Sequence, residues 1–460
     1  MGITDRFANY LVEISLDQMP QEAVSRSKVL IRDTIGVALA GSVQPTSEIV
    51  IDYVRYLGGS PQATVLGRSF KTSAPNAALA NGTSAAALDT DDNSWVLIGH
   101  PSGSIVPAVL AFGEEIGASG RDVIEAHILG LETGHRLAKG MQPAQYQRGW
   151  HSTGTLGVIM CTAACAKLAR LEPQEVARAF GIAASLAGTI RGNFGSMTKP
   201  FHSGTAAMNG IMAVSLVKRG YTASNTIFEH PYGYCAVTVG KDNVHLKAIE
   251  EALESGSYFF IDPEAFVGIK LRPCNSAAMV AIDNTIELAK EHDIKPEQVE
   301  SIEAGFTPIA VDIADRIKKP RTGHEAKYSL TYPIAISVVD REAGIKQFTD
   351  ERVQDLLVRD MVAKVKTYVH PDLTNLALHD LAACHIMIKL KDGREFTKYG
   401  VRPKAYPGGK EATPAELLDR YREFAGLVLP KDKIDRSVEL LDRLETVPHI
   451  SELIGLLSAA

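Results

Sequence analysis

Cysteine is scarce, with five in 460 residues, and no two of them have the Cys-x-x-Cys spacing. A zinc site or a redox-active dithiol of the usual kinds is therefore not predicted. Cys161 and Cys165 lie one helical turn apart in an apolar stretch, which favours packed thiols. The first residues also lack a basic, apolar leader, so we expect a cytoplasmic protein.

Long apolar runs and blocks of basic residues are missing as well. No apolar stretch reaches the roughly 18 residues of a membrane-spanning helix, so we expect no membrane partner. Lysine and arginine number 48 against 54 acidic residues, and the formal net charge of -6 argues against nucleic-acid binding. With 45% hydrophobic and 22% charged residues, the composition is typical of a folded globular protein.

Helical periodicity dominates the first 250 residues. Phe7, Tyr10, Leu11 and Ile14 repeat at helical spacing. Alanine and glycine are frequent in the later segments, and small side chains allow helices to pack closely. We predict further helices near residues 24–41, 49–57, 75–88, 104–117, 121–138, 153–170, 173–188 and 202–219.

The pattern changes near residue 257. Residues 391–393, Lys-Asp-Gly, are a typical hairpin turn between two alternating segments. We predict strands at 258–261, 266–271, 299–306, 386–390 and 396–401, and helices at 276–292 and 322–338. From residue 407 the sequence is helical again.

These patterns predict a mainly α protein with a large, discontinuous helical domain. Residues 1–265 form its first part and residues 407–460 return to it. Residues 266–406 form a smaller α+β domain.

Three carboxylates and a histidine lie close together in residues 88–102. Asp89, Asp91, Asp92 and His100 fall within twelve residues, beside the apolar Trp95 and its neighbours. Buried carboxylates must be paired, hydrogen-bonded or protonated, because removing water from a charge is costly. This pattern is typical of a site, although a surface loop whose acids cap the next helix is an open alternative.

Basic side chains occur in two glycine-rich segments. His151 opens a helix, where the helix dipole disfavours the charged imidazole and backbone amides can hold an anion. Lys199 lies between a glycine-rich loop and an apolar helix start, where it can act as a base or bind a carboxylate. Arg191 is a second candidate for carboxylate binding. A packed histidine and solvated basic residues are the alternatives.

Two further candidates lie in the α+β region. Arg272 precedes a proline where a strand turns into a helix, which suits bidentate recognition of a carboxylate. Tyr328 and Tyr332 are one helical turn apart, and core packing is the alternative for them. The sequence contains no metal-ligand spacing, nucleotide loop or nucleophile elbow. It thus predicts an acid–base site for a small carboxylate, with no metal and no cofactor.

Four motifs in this order resemble the MmgE/PrpD family of 2-methylcitrate dehydratases, cis-aconitate decarboxylases and iminodisuccinate epimerases. The resemblance implies a large helical domain, a smaller α+β lid domain, a homodimer and a cofactor-free site. The motifs are residues 88–92 with 100–102, 149–155, 198–204 and 325–332. The implied site residues are Asp89, His100, His151, Lys199 and Tyr332, with Tyr146 close by.

Two departures from the family pattern guide the choice of reaction. Asn93 stands where the dehydratases and decarboxylases have threonine, and Met279 stands where they commonly have histidine, four residues before Asp283. Loss of that acid or base favours an epimerase, which needs only two groups on opposite faces of one carbon. We therefore predict epimerisation of a dicarboxylate such as iminodisuccinate. A lyase acting on 2-methylcitrate, citrate or cis-aconitate is the alternative.

In the epimerase interpretation, Lys199 and Tyr146 are the acid–base pair that moves the Cα proton. His151 and Asp89 orient and polarise the reacting groups. The predicted substrate-binding residues are His100, Arg272, Tyr332, Asn93 and Arg191.

Overall fold

The chain folds into two compact units in the computed structural model, which describes residues 1–262, 267–376 and 380–459. Unit 1 comprises Met1–Ala87, Asp91–Val267 and Pro414–Ala460. Unit 2 comprises Leu88–Thr90 and Gly268–Thr413. The protein is mainly α, as predicted, with a discontinuous helical unit and a smaller unit that contains a sheet.

Unit 1 is a helical bundle with one short two-stranded ribbon, β1 (Ala63–Thr64) and β2 (Lys71–Thr72). Among the described residues, no helix is both long enough and apolar enough to cross a membrane. Its helices are α1 (Ile3–Glu13), α2 (Gln21–Ser42), α3 (Pro45–Leu57), α4 (Ala74–Ala86), α5 (Ser102–Ile116), α6 (Gly120–Met141), α7 (Ala144–Gln147), α8 (Ser152–Leu168), α9 (Pro173–Ser185), α10 (Thr198–Val217), α11 (Tyr234–Val239), α12 (Leu246–Glu254), α19 (Pro414–Ala425), α20 (Lys431–Asp442) and α21 (Ser451–Leu456).

Small residues let the central helices of unit 1 approach closely. Helix α10 packs on α4 and α8, and α8 packs on α6. A Cβ atom added at Gly82 would lie 2.8 Å from the Cα of Gly204, so only glycine fits at this crossing. The predicted close packing of alanine- and glycine-rich helices is therefore present, and it fixes α10 at the centre of the unit.

The C-terminal segment completes the same bundle. Helix α19 packs on α2. Arg420 donates from Nε to Asp33 Oδ1 at 2.7 Å, and both side chains are buried. This ion pair fixes the position of α19 on α2, because a buried charge without its partner would be costly.

Unit 2 combines a four-stranded sheet with short helices. The strand order is β4-β3-β5-β6, with β3 and β4 parallel and the other pairs antiparallel. The strands are β3 (Val299–Phe306), β4 (Val365–Val369), β5 (Cys384–Leu390) and β6 (Glu395–Gly400). The helices are α13 (Met279–Glu291), α14 (Pro308–Ala314), α15 (Gly323–Lys327), α16 (Thr331–Val339), α17 (Asp350–Gln354) and α18 (Leu356–Lys364).

The predicted hairpin and the strand at 299–306 are confirmed. Cys384, Ile386, Ile388 and Leu390 of β5 are buried, and the residues between them are half-buried. The buried side chains thus lie on one side of the sheet, and α13 packs on β5 and β6.

The predicted strand at 258–261 is wrong. Phe259–Ile261 forms a single 3-10 turn. The turn packs on α6, and the amide of Phe260 donates to Glu132 Oε1 at 3.1 Å. Contacts with α6 thus override the β propensity of consecutive aromatic residues.

The predicted strand at 266–271 is wrong for residues 267–271. Residue 266 lies outside the described ranges. Residues 267–271 form only an isolated bridge at Gly268. The predicted helix at 322–338 is divided into α15 and α16. Asn275 donates to the carbonyls of Lys327 and Ser329, at 3.0 and 3.1 Å, and so takes acceptors that a continuous helix would use.

Helix α10 begins at Thr198, four residues before the predicted start at 202. Pro200 lies in its first turn, where a missing amide hydrogen costs little. Lys199 and His202 are therefore three residues apart on one helical face.

Candidate active site

Residues 91–102 of unit 1, which we name the acidic loop, are largely buried. Asp91 and Asp92 are each 1% exposed, and Asn93 and Trp95 are also buried. The expectation of buried carboxylates beside Trp95 is confirmed. The alternative of a surface loop is therefore wrong in its exposure, although Asp92 does accept a hydrogen bond from the first amide of the next helix, as that alternative expected.

The two carboxyl groups of the acidic loop differ in their surroundings. Asp92 Oδ1 accepts a hydrogen bond from the amide of Ser102 at 3.0 Å, and burial raises the pKa of Asp92 to about 8. Neither oxygen of Asp91 accepts a hydrogen bond from a described residue, and Nδ1 of His100 lies 3.8 Å from Asp91 Oδ1. Asp92 is therefore protonated at neutral pH, and its neutral carboxyl group lies beside the side chain of Asp91.

Buried histidines of α6 hold the ends of the acidic loop. Ser94 Oγ lies 2.9 Å from Nε2 of His135, and Ser102 Oγ lies 3.2 Å from Nε2 of His127. Burial lowers the pKa of His135 to about 4 and that of His127 to about 3. Both rings are therefore neutral and act as structural hydrogen-bond partners.

The acidic loop is joined to the start of α8. The amide of His100 donates to Thr153 Oγ1 at 3.0 Å. Nδ1 of His100 lies 2.7 Å from the carbonyl of Asp92, so this nitrogen holds the hydrogen.

His151 is the N-cap residue of α8 and is buried. Its backbone is fixed by Thr189, whose carbonyl accepts from the His151 amide and whose hydroxyl donates to the His151 carbonyl. Its ring packs edge-on against Phe194, with the centroids 4.8 Å apart. The imidazole is thereby held in one orientation at the start of the helix.

The ring of Phe194 is the common neighbour of three predicted site residues. Besides His151, it has Nζ of Lys199 at 5.9 Å and Cζ of Arg191 at 5.8 Å from its centroid. Both distances permit a cation–π attraction. We name Tyr146, His151, Arg191, Phe194, Lys199 and His202 the His151 cluster.

Arg191 connects the cluster to Tyr146. Its guanidinium lies 3.8 Å above the Tyr146 ring, and Nη1 donates to the Tyr146 carbonyl at 3.1 Å. Nε of Arg191 is buried and has no hydrogen-bond partner among the described residues. Arg191 therefore retains a donor that an anionic ligand could use.

The side chain of His202 lies within hydrogen-bond distance of His151. The two Nδ1 atoms are 2.9 Å apart, and both rings are buried. Burial, together with the positive charge of Lys199, lowers the pKa of His202 to about 4. His202 is therefore neutral at pH 7.

The structure places the remaining predicted residues in unit 2. Asp89 is 1% exposed and forms an ion pair with Lys270, with Nζ and Oδ1 3.3 Å apart. The hydroxyl of Thr90 donates to the Lys270 carbonyl at 2.8 Å. Asp89 adopts a positive φ of 53°, which aspartate tolerates better than most residues.

Arg272 and Tyr332 already have partners within unit 2. Nη2 of Arg272 lies 3.2 Å from Asp283 Oδ1, so this guanidinium does bind a carboxylate, one from its own chain. Tyr332 is fully buried and donates its hydroxyl hydrogen to the Gln347 carbonyl. Burial raises the pKa of Tyr332. A substrate-binding role for either residue stays a prediction.

The structure thus brings together Tyr146, His151, Arg191 and Lys199 in unit 1, with Asn93 and His100 in the adjoining acidic loop. Two cations and the His151 imidazole around the ring of Phe194, with the His202 imidazole beside His151, are suited to binding a carboxylate and moving a proton. Sequence reasoning gave no role to Phe194, His202 or Lys270. His202 could have been noticed as the second basic residue on one face of α10, had the helix start been predicted correctly.

Comparison with known proteins gives consistent matches along the chain. Residues 5–247 match the model of the MmgE/PrpD N-terminal domain, and residues 273–446 match that of the MmgE/PrpD C-terminal domain.

The chain is similar to cis-aconitate decarboxylases over 99% of its length. It is 27% identical to the protein from Mus musculus, covering 93% of that protein. Identity is 25% with the protein from Homo sapiens and 26% with that from Aspergillus terreus, covering 94% and 96% of them.

Proposed function

The chain belongs to the MmgE/PrpD family of enzymes, and on this basis we propose that it is a lyase that decarboxylates an unsaturated tricarboxylate of the cis-aconitate type. The observation that supports this most is similarity over almost the whole chain to decarboxylases from a mammal and a fungus. These relatives favour the lyase alternative over the epimerase that the sequence departures suggested.

The chemistry of the His151 cluster is compatible with this reaction. In decarboxylation the bond between a carbon and its carboxylate breaks, and carbon dioxide leaves without the electron pair. That pair moves through the adjacent double bond to a neighbouring carbon, which then takes one proton. The reaction therefore needs two things: cations that bind the carboxylates, and a general acid that supplies the proton.

Each requirement has a candidate in the cluster. Lys199 and Arg191 supply positive charge beside the ring of Phe194. His151 is the candidate for the general acid, because its ring is oriented by its contacts with Phe194 and His202. Tyr146 lies under Arg191 and helps to fix it.

Epimerisation of a dicarboxylate is the second candidate function. Asn93, with its amide in place of the threonine hydroxyl of the dehydratase and decarboxylase pattern, favours it. Met279, a buried thioether where that pattern commonly has histidine, favours it too. Both reactions use a proton at carbon, so the product distinguishes them.

Proton NMR in deuterated water tests both functions with the purified protein. The substrates are cis-aconitate, 2-methylcitrate and the stereoisomers of iminodisuccinate. Carbon dioxide release from cis-aconitate, with one deuterium in the product, is the expected result. Exchange of the Cα proton of iminodisuccinate with loss of stereochemical purity, and no reaction of cis-aconitate, would replace the lyase by the epimerase.

Removal of the Lys199 ammonium should impair turnover of the active substrate. We expect Lys199→Ala to lower kcat/KM by about 10²–10⁴-fold, the range typical of a lost acid, base or charge-stabilising group. Lys218→Ala is the matched control, because Lys218 is exposed at the far end of α10. Equal activities of the two variants would contradict the proposed site.

A further inference from the structure

His151 and His202 share one hydrogen between their Nδ1 atoms. At 2.9 Å one nitrogen must donate and the other must accept. The contact joins the N-cap of α8 to the second turn of α10. Any proton that His151 exchanges with a substrate must therefore pass through its other nitrogen, Nε2.

The direction of this hydrogen bond follows from the charge that each ring can hold. His202 is neutral because burial and Lys199 disfavour its cation. When His151 holds the proton that it will deliver, both of its nitrogens have hydrogens, and Nδ1 can only donate. Nδ1 of His202 must then be bare, which leaves the hydrogen of neutral His202 on Nε2.

We propose that His202 is a positioning residue that accepts a hydrogen bond from His151 Nδ1, holds that imidazole in a single tautomer and stabilises its cationic form. The same hydrogen bond persists before and after proton delivery, so only Nε2 of His151 changes its protonation. A hydrogen bond at Nδ1 matters for catalysis because it selects the tautomer of His151, and the wrong tautomer cannot exchange the required proton.

This role deepens the proposed function and rests on it for its catalytic meaning. The tautomers themselves can be measured without any substrate. A failure of the decarboxylation assay and a failure of this inference are therefore distinguishable.

The first experiment is long-range proton–nitrogen NMR of the full-length protein labelled with ¹⁵N-histidine. Single substitutions at positions 151 and 202 identify the signals of the two rings. We expect a hydrogen on Nδ1 of His151 and a bare Nδ1 on His202. The reverse arrangement, or a bare Nδ1 on both rings, would overturn the proposal.

The second experiment compares two variants of similar size. His202→Asn places an amide oxygen near the position of Nδ1 and can accept the hydrogen bond, whereas His202→Leu cannot. We expect His202→Leu to lower kcat by about 10²-fold, at the lower end of general acid–base effects, with little change in KM. His202→Asn should recover most of that loss and keep the hydrogen on His151 Nδ1.

Thermal unfolding of both variants separates positioning from folding. Loss of activity to the same extent in His202→Asn and His202→Leu, at equal unfolding temperatures, would overturn the proposal. His245→Leu is the control, since His245 is an exposed histidine of unit 1. If His202→Leu fails to fold, the tautomers of the unsubstituted protein and the activity of His202→Asn still decide the outcome.

Discussion

Asp92 is a carboxyl group that holds its proton at neutral pH because of where it is buried. Its pKa is about 8 in the folded protein, with burial as the main cause and the neighbouring Asp91 adding to it. In the unfolded chain an aspartate releases its proton near pH ~4. Between these values the folded protein binds more protons, so the free energy of unfolding falls as the pH rises.

Asp92→Asn removes this dependence, since an amide keeps the shape of the protonated carboxyl and has no proton to lose. We expect the unfolding temperature of Asp92→Asn, measured by circular dichroism, to rise relative to wild type as the pH increases from about 5 to about 8. Asp52→Asn, at an exposed position of α3, is the control. A similar rise of the unfolding temperature in both variants would contradict the protonation of Asp92 at neutral pH.

At the scale of single residues, the sequence identified candidates by their unusual surroundings. Lys199 and His151 were recognisable because basic residues are rare in apolar, glycine-rich segments. Phe194 and His202 were not, because an aromatic residue and a helical histidine acquire a role only through neighbours that are distant in sequence. The pairing of Asp89 with Lys270 spans 181 positions and is a property of the fold alone.

At the scale of elements, the crossing of α4 and α10 positions Lys199 and His202. A Cβ atom at Gly204 would lie 2.3 Å from the Leu79 carbonyl oxygen, which is backbone and cannot move aside. We expect Gly204→Ala to lower the free energy of unfolding by about 1–3 kcal/mol, and to lower activity by shifting α10.

Chemical denaturation measures this change, and Gly455→Ala is the matched control. Gly455 lies in α21, and no atom of the described residues is within 4 Å of a Cβ added there. There the same substitution should be neutral or stabilise by up to about 1 kcal/mol, because alanine favours the helix. Destabilisation of equal size at both positions would argue against a tight crossing.

Elements with a strong period were predictable, and those decided by tertiary contacts were not. The long helices of unit 1 are indicated by apolar spacing, and the β5–β6 hairpin by alternating segments around a Lys-Asp-Gly turn. The turn at Phe259–Ile261 contains a run of aromatic residues typical of a strand, and only its contacts with α6 make it a 3-10 turn. Strand β4 was missed because a parallel partner leaves no local signal such as a hairpin turn.

At the scale of the whole molecule, three residues of the N-terminal half belong to unit 2. Leu88–Thr90 is part of that unit, and the ion pair of Asp89 with Lys270 helps to hold the segment. Lys270→Met removes the cation from a buried carboxylate. We expect it to lower the free energy of unfolding by about 3–5 kcal/mol, as for other broken buried pairs.

A double-mutant cycle in urea tests this pair. Asp89→Asn removes the negative charge and tolerates the positive φ at this position. The double variant Asp89→Asn/Lys270→Met should therefore be more stable than Lys270→Met alone. Additive losses in the cycle would show that the two charges do not interact.

The return of the C-terminal segment to unit 1 has a consequence for synthesis on the ribosome. Asp33 in α2 meets Arg420 of α19 only after all of unit 2 has been translated. Until then the face of α2 that α19 covers is exposed, whereas the sheet of unit 2 already has its four strands. The N-terminal part of a chain usually folds first during synthesis. Here the helical unit that begins the chain is the last to be completed.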